Sequence, residues 1–131
     1  MLSMSKVQTI ICTSRIKDAE HFYGTVLGLS LKGRSLGSLV YQVGNSTIRV
    51  SPVQSMQPSE HTILGFAVAD LRDVIKELRA RGLELERFTN FSHDDDGVVR
   101  IPDGTQVAWF RDPDRNLLSV VQYCTEDGIS S

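Results

Sequence analysis

Blocks of basic residues, long apolar runs and paired metal-binding cysteines are all missing from this chain, and each absence closes off a class of function. Fourteen Lys plus Arg are scattered against 16 Asp plus Glu, for a net charge of −2. Non-specific affinity for nucleic acid scales with the number of phosphates neutralised, so this balance gives no footprint for a phosphate backbone and no nucleic-acid partner is expected. The longest apolar stretches, such as 117–121 with Ser119 interrupting it, fall far short of the ~20 residues that a membrane helix requires. No membrane partner is expected either. The opening Met-Leu-Ser-Met-Ser-Lys has no basic region followed by an apolar core, so no secretory signal is visible and the expected location is the cytoplasm. The two cysteines, Cys12 and Cys124, match neither C-x-x-C nor a zinc spacing. Both lie in apolar, strand-like runs and are expected to be buried, reduced packing residues, because a disulfide would need an oxidising compartment that nothing here supports.

What is present is a globular composition. With 131 residues, 40% of them hydrophobic and 23% charged, the chain can bury a real core, and one compact domain over 1–131 is expected. The run Val-Gln-Thr-Ile-Ile-Cys predicts a strand over 7–12, ending at Thr13-Ser14 where a helix cap is plausible. Ile16, Ala19, Phe22, Tyr23, Val26 and Leu27 then recur at three- and four-residue spacing. This predicts a helix over 15–27 that Gly28 stops in the left-handed region. Strands over 29–33, 38–43 and 47–51 follow, separated by the turn chemistry of Gly37 and Gly44-Asn45.

After a polar linker over about 52–61 the same order begins again. A strand over 62–68 leads to Asp70, which can cap a helix carrying Asp73 in its first turn. Leu71, Val74, Ile75 and Leu78 form its apolar stripe and Gly82 ends it. Strands over 83–88, 105–111 and 116–123 complete the second half, the last two joined by the strong turn signal Asp-Pro-Asp-Arg. Leu27-Gly28-Leu29 and Arg81-Gly82-Leu83 hold equivalent places 54 residues apart, which indicates an internal repeat. The predicted class is α+β: two βαβββ modules, one over about 7–52 and one over about 62–123. Each sheet with a single helix leaves one face bare, so the two gain most by forming a curved sheet around a shared cavity, where a ligand would go.

Phe22-Tyr23, Val26-Leu27-Gly28-Leu29 and the closing Trp109-Phe110-Arg111-Asp112-Pro113-Asp114-Arg115-Asn116-Leu117-Leu118 together resemble the vicinal oxygen chelate superfamily. That superfamily includes glyoxalase I, extradiol dioxygenases, fosfomycin-resistance transferases and bleomycin-resistance proteins. The resemblance covers about 7–123 and implies the fold and a homodimer. It also departs from the pattern at Arg115, where the family usually has Gly, so a left-handed residue would carry a side chain at a cost of about 1–2 kcal/mol.

Metal-dependent members are expected to place four ligands, His or Gln, Glu, His and Glu, on the first and last strands of each module. By the resemblance, the first falls on Gln8, fourteen residues before Phe22, and its amide oxygen could serve a divalent ion. The second falls on Arg49, the third on Ile63, five residues before Val68, and the fourth on Ser119. A permanently charged guanidinium repels a divalent ion, so no metal and no cofactor are expected. The four positions are instead expected to line the ligand cavity. His61 shares strand parity with Ile63, and a bulge or a two-residue shift could bring its imidazole into the site; otherwise it is an exposed residue at a strand start. Arg49 either clamps a carboxylate or phosphate with its planar fork, or points to solvent, or pairs with a nearby Glu.

Residues 92–97 with Asp103 imitate a calcium loop, but the stretch lies between strands, with Ser first and Asp last. It reads as a solvated acidic loop over the cavity mouth that could act as a lid. His21 is expected to be exposed and without a role. No phosphate-cradling loop, nucleophile elbow or catalytic triad is visible. The favoured function is a metal-free small-molecule-binding protein resembling the glyoxalase/bleomycin-resistance family, with an anionic molecule as one candidate ligand. The alternatives are an enzyme of the same fold, either a metal-dependent lyase or dioxygenase with shifted ligands (Gln8, His61) or a metal-free isomerase using Arg49 and a polar partner, and a regulatory subunit with a vestigial cavity.

Overall fold

Two four-stranded mixed sheets with one helix apiece make up the computed structural model, which describes residues 1–125. The chain divides after Pro58 into two units, and both thread their strands in the same order.

In the first unit, β1 (Gln8–Thr13) leads into α1 (Ile16–Glu20), followed by β2 (Ser30–Ser35), β3 (Ser38–Val43) and β4 (Ser46–Pro52). The spatial order is β1-β4-β3-β2, with β1 parallel to β4 and the other neighbours antiparallel. Register places Ile11 and Leu39 opposite Val50, and Tyr41 opposite Ile48, so these buried side chains share the face that packs on the helix. Ala19, Phe22 and Tyr23 of the predicted stripe are buried against it, Tyr23 lying 6.3 Å from Tyr41 between ring centres. The stripe is where the sequence places it, yet the helix is not uniform. Over His21–Val26 it widens into a π-helical turn, with the Leu27 N–H reaching back to the Phe22 carbonyl. Gly28 then closes it at φ 71°. The expected cap at Thr13-Ser14 takes another form: Arg15 is the N-cap and makes no side-chain cap bond, while Thr13 Oγ1 accepts the Arg15 N–H at 3.0 Å.

In the second unit, β5 (Thr62–Ala67) precedes α2 (Leu71–Ala80), β6 (Val99–Arg100), β7 (Gln106–Arg111) and β8 (Leu117–Gln122). The order is β5-β8-β7-β6, with β5 parallel to β8. Asp70 caps α2 through its Oδ1, which accepts the Asp73 N–H at 3.1 Å. Gly82, at φ 88°, ends it with the Leu83 N–H bonded to the Leu78 carbonyl. Leu71, Ile75 and Leu78 are buried, as are Ala108, Phe110, Leu118 and Val120 on one face of the sheet. Each large aliphatic or aromatic side chain in this layer contributes about 1.5–3 kcal/mol by leaving water.

The strand expected over 83–88 is absent. Only Glu86 bridges to Trp109, its N–H donating to the Trp109 carbonyl at 2.8 Å. The reason lies in the outer edge of β7, which is shared: Glu86 takes one end and the two-residue β6 takes the other, at Gln106 and Val107. The cysteines also differ from expectation, both being exposed. Alternation in β1 turns Cys12 to the same bare face as Gln8 and Ile10, and Cys124 lies beyond the end of β8. Arg115 does adopt the left-handed conformation, at φ 70°, and so does Leu36 at φ 53° in the β2–β3 turn. No helix among the described residues is long and apolar enough to cross a membrane.

Candidate functional site

The face of the first sheet that the helix leaves bare carries Gln8, Ile10 and Cys12 on β1, and Thr47, Arg49 and Ser51 on β4. This follows from the two-residue period of strands once Ile11, Ile48 and Val50 are committed to the core. Gln8 lies beside Thr47, so Arg49 is its diagonal neighbour on the same face. Gln8 is exposed and Arg49 half-buried. The Arg49 guanidinium crosses β3 and donates from Nη1 to the Ser35 carbonyl at 3.2 Å. Among the described residues no carboxylate lies within ion-pair distance of it. Of the three expectations for this residue, pairing with a Glu is not seen among the described residues; one donor of its fork anchors the side chain along the sheet, and four remain for other acceptors.

On the second sheet, Ser119 is buried on the face opposite α2, between Trp109 on β7 and Gly65 on β5. Its Oγ sits 3.0 Å from where a Cβ on Gly65 would be, so glycine there gives the hydroxyl its room. Ile63 falls in a bulge, where β5 slips against β8 between Thr62 and Leu64, and is 37% exposed. His61 precedes the strand, is exposed, and donates its backbone N–H to Ser59 Oγ at 3.0 Å. The bulge that could shift register is present, but it acts on residues after His61.

The second unit also holds a feature that sequence reading missed. A pocket of about 330 Å3 opens beside the head of β5, walled by Phe88, Phe91, Trp109 and Leu117. Glu60, His61, Thr62 and Asn90 complete its lining. Trp109 stacks on Phe91 with centroids 5.3 Å apart and planes at 21°, while Phe88 meets Trp109 edge-on at 5.3 Å and 82°. His93 fixes the loop beneath them: Nε2 accepts the Phe88 N–H at 2.9 Å and Nδ1 lies 2.9 Å from the Gly97 carbonyl. Both bonds form only in the neutral tautomer with the proton on Nδ1. The available signal was Phe88 and Phe91 three residues apart near a lone Trp, but nothing in an irregular loop tells which side chains converge.

The acidic stretch beside this loop is committed to α2. Arg72 pairs with Asp94 at 2.8 Å and Asp96 at 3.0 Å, and Arg79 reaches Asp96 at 3.6 Å. Burial works to raise the Asp94 carboxyl, but hydrogen bonds from Arg72 and from the backbone N–H groups of Val98 and Asp96 outweigh it and hold the group below the usual carboxylate range. Asp103, the twelfth residue of the apparent calcium loop, caps the Thr105 N–H instead. Among the described residues, no three His, Cys, Asp or Glu side chains stand close enough to hold a metal ion.

A family model described as "Glyoxalase/Bleomycin resistance protein/Dioxygenase superfamily" matches residues 6–120. No curated protein sequence matches the chain. Among solved structures, a glyoxalase/bleomycin resistance protein/dioxygenase from Alicyclobacillus acidocaldarius is 17% identical, covers 97% of each chain and superposes with a TM-score of 0.70. A lactoylglutathione lyase from Agrobacterium tumefaciens is 16% identical over 91% of this chain and 93% of its own, with a TM-score of 0.69. A glyoxalase-family protein from Bacillus anthracis gives 19%, 91%, 94% and 0.71 for the same measures. Likeness at this level of identity establishes the fold.

Proposed function

Because the chain belongs to the glyoxalase/bleomycin resistance protein/dioxygenase superfamily, we propose that it is a small-molecule-binding protein without a resident metal, holding its ligand against the helix-free faces of its sheets. The observation that carries this reading is Arg49. On the bare face of the first sheet, at a position where the family resemblance expects a metal-binding carboxylate, stands a guanidinium with no acidic partner among the described residues. A group that cannot lose its charge and offers only donors is suited to a carboxylate or phosphate and unsuited to a cation. The other three positions do not repair the mismatch. Gln8 brings a neutral amide, Ile63 no donor atom, and Ser119 a hydroxyl packed over Gly65.

Arg49 is accordingly the main determinant of affinity for an anionic ligand, with Gln8, its diagonal neighbour on the same sheet face, adding a neutral hydrogen bond. Charge-assisted bonds of this kind contribute about 1.5–3 kcal/mol. Arg49→Met keeps much of the aliphatic length and removes the charge. The expected result is a ten- to hundredfold loss of affinity, by the rule of about 1.4 kcal/mol per decade. The test is calorimetric titration of both proteins with whichever small carboxylates or phosphomonoesters raise the melting temperature of the wild type. Equal affinity in a variant of equal melting temperature would remove Arg49 from the site.

One observation favours a second reading, a lyase or dioxygenase with shifted ligands. The β5 bulge lies directly after His61, and His61 lines a pocket. Bound metal that is lost in His61→Ala is the outcome that would support it.

A further inference from the structure

The aromatic pocket of the second unit restricts what can enter it more narrowly than the fold does. Phe91 lies offset and nearly parallel to Trp109, and Phe88 stands perpendicular to it. These are the two arrangements by which aromatic rings attract one another through their quadrupoles. Phe91 keeps 43% of its surface exposed, so the cluster still has a ring face on which a further ring can add. An aliphatic ligand would gain area against Leu117 but would leave that face without an electrostatic match.

The polar part of the lining is just as selective. It contains one carboxylate, Glu60, and neither lysine nor arginine. An ionised carboxylate only accepts hydrogen bonds, so it favours a ligand group that donates and repels an acid. Asn90 and His61 can both donate and accept, and therefore tolerate either substituent. His93 holds the aromatic wall in place through its bonds to Phe88 and Gly97, so little ordering is left for a ligand to impose.

We propose that this pocket binds a planar aromatic ring bearing a hydrogen-bond donor, an amino or hydroxyl group, with the ring on the Phe91–Trp109 face and the donor directed to Glu60. The inference rests on the reading of the chain as a small-molecule-binding protein and assigns the ligand class of its second sheet.

Trp109 is the single tryptophan in the sequence, so its indole N–H gives one unambiguous NMR signal that reports on this pocket. The full chain is titrated with tryptamine, with indole-3-acetate (the same ring with an acid) and with 2-cyclohexylethylamine (the same amine without the ring). Tryptamine is expected to move the Trp109 signal saturably and to bind about tenfold or more tightly than either analogue. Glu60→Gln should weaken tryptamine about three- to tenfold, the modest end for a charge-assisted bond at an exposed residue, and leave indole-3-acetate unharmed. Phe91→Ala, at an exposed position that does not threaten folding, should weaken both indole ligands. Equal binding of indole-3-acetate or of the cyclohexyl amine, or indifference to Glu60→Gln, would overturn the proposal. A Trp109 signal that stays still while Arg49-dependent carboxylate binding persists would also overturn it, yet leave the broader reading standing. Loss of both responses would overturn both.

Discussion

Arg115 shows how one residue can carry a local cost for the geometry of a turn. The turn between β7 and β8 is organised by Asp112, whose buried carboxylate accepts the N–H groups of Asp114 and Asn116 and the Asn116 amide. That arrangement drives residue 115 to φ 70° whatever its side chain. A left-handed non-glycine residue costs about 1–2 kcal/mol, partly offset here by the Arg115 contact with Glu86 at 3.1 Å, an exposed pair contributing about 0–1 kcal/mol. Arg115→Gly should relieve about 0.5–1 kcal/mol of strain net of the Glu86 contact, of which the added freedom of the unfolded chain removes about 0.4–1, so the gain is at most about 0.5 kcal/mol. Thermal unfolding would show a rise of at most about 3 °C, and a clear fall in Tm would mean that the Glu86 contact outweighs the backbone strain. The departure was legible in the sequence because Asp-Pro-Asp fixes the turn locally. Leu36 was not, since no local pattern announces a leucine at φ 53°.

At the scale of elements, legibility follows the range of the forces involved. Gly28 and Gly82 stop the helices, Asp70 caps α2, and Ile11, Val50, Leu118 and Val120 alternate into the cores, all of it set by neighbours a few residues away. The strand expected over 83–88 failed because β7 has one outer edge and a distant segment, β6, occupies half of it. Cys12 was misjudged because an apolar strand does not say which face is covered. The loop over 92–97 is solvated at Asp94, Asp95 and Asp96, as its composition predicts, and what the sequence does not show is that Arg72 and Arg79 tie it to α2. Its pH dependence has a definite sign. Asp94 is held below its ordinary value, so its contribution is complete above an unfolded carboxylate value of about 3.9 and is lost as pH falls through the lower folded value. Arg72→Ala should loosen the loop at neutral pH by about 1 kcal/mol, discounted for the exposure of these pairs. The readout is amide exchange at Asp96 and Val98, whose N–H groups donate to Asp94 Oδ1, with roughly fivefold faster exchange expected from that energy. Unaltered exchange would show that the backbone bonds alone hold the loop.

For the whole molecule, sheet order leaves β1 and β2 at the edges of the first sheet and β5 and β6 at those of the second. Along β1 the exposed side chains include Ile10 at 58%, with Val7 at 85% just before it. Apolar side chains beside an unpaired edge invite a partner strand, and a homodimer is the closed way to supply one. We propose that the protein is a homodimer, and light scattering at micromolar concentration should give about twice the 14.6 kDa chain mass. A value at the chain mass alone would refute it. The candidate site was only partly readable at this scale. The resemblance counted Gln8, Arg49, Ile63 and Ser119, but it could not foresee the bulge at Ile63 or the gathering of Phe88, Phe91 and Trp109. If Arg49 stands where a metal ligand would be needed, elemental analysis of protein purified without chelator should find no stoichiometric zinc, nickel, iron or manganese. Near-equimolar metal that disappears in His61→Ala would contradict it and establish the shifted-ligand enzyme instead.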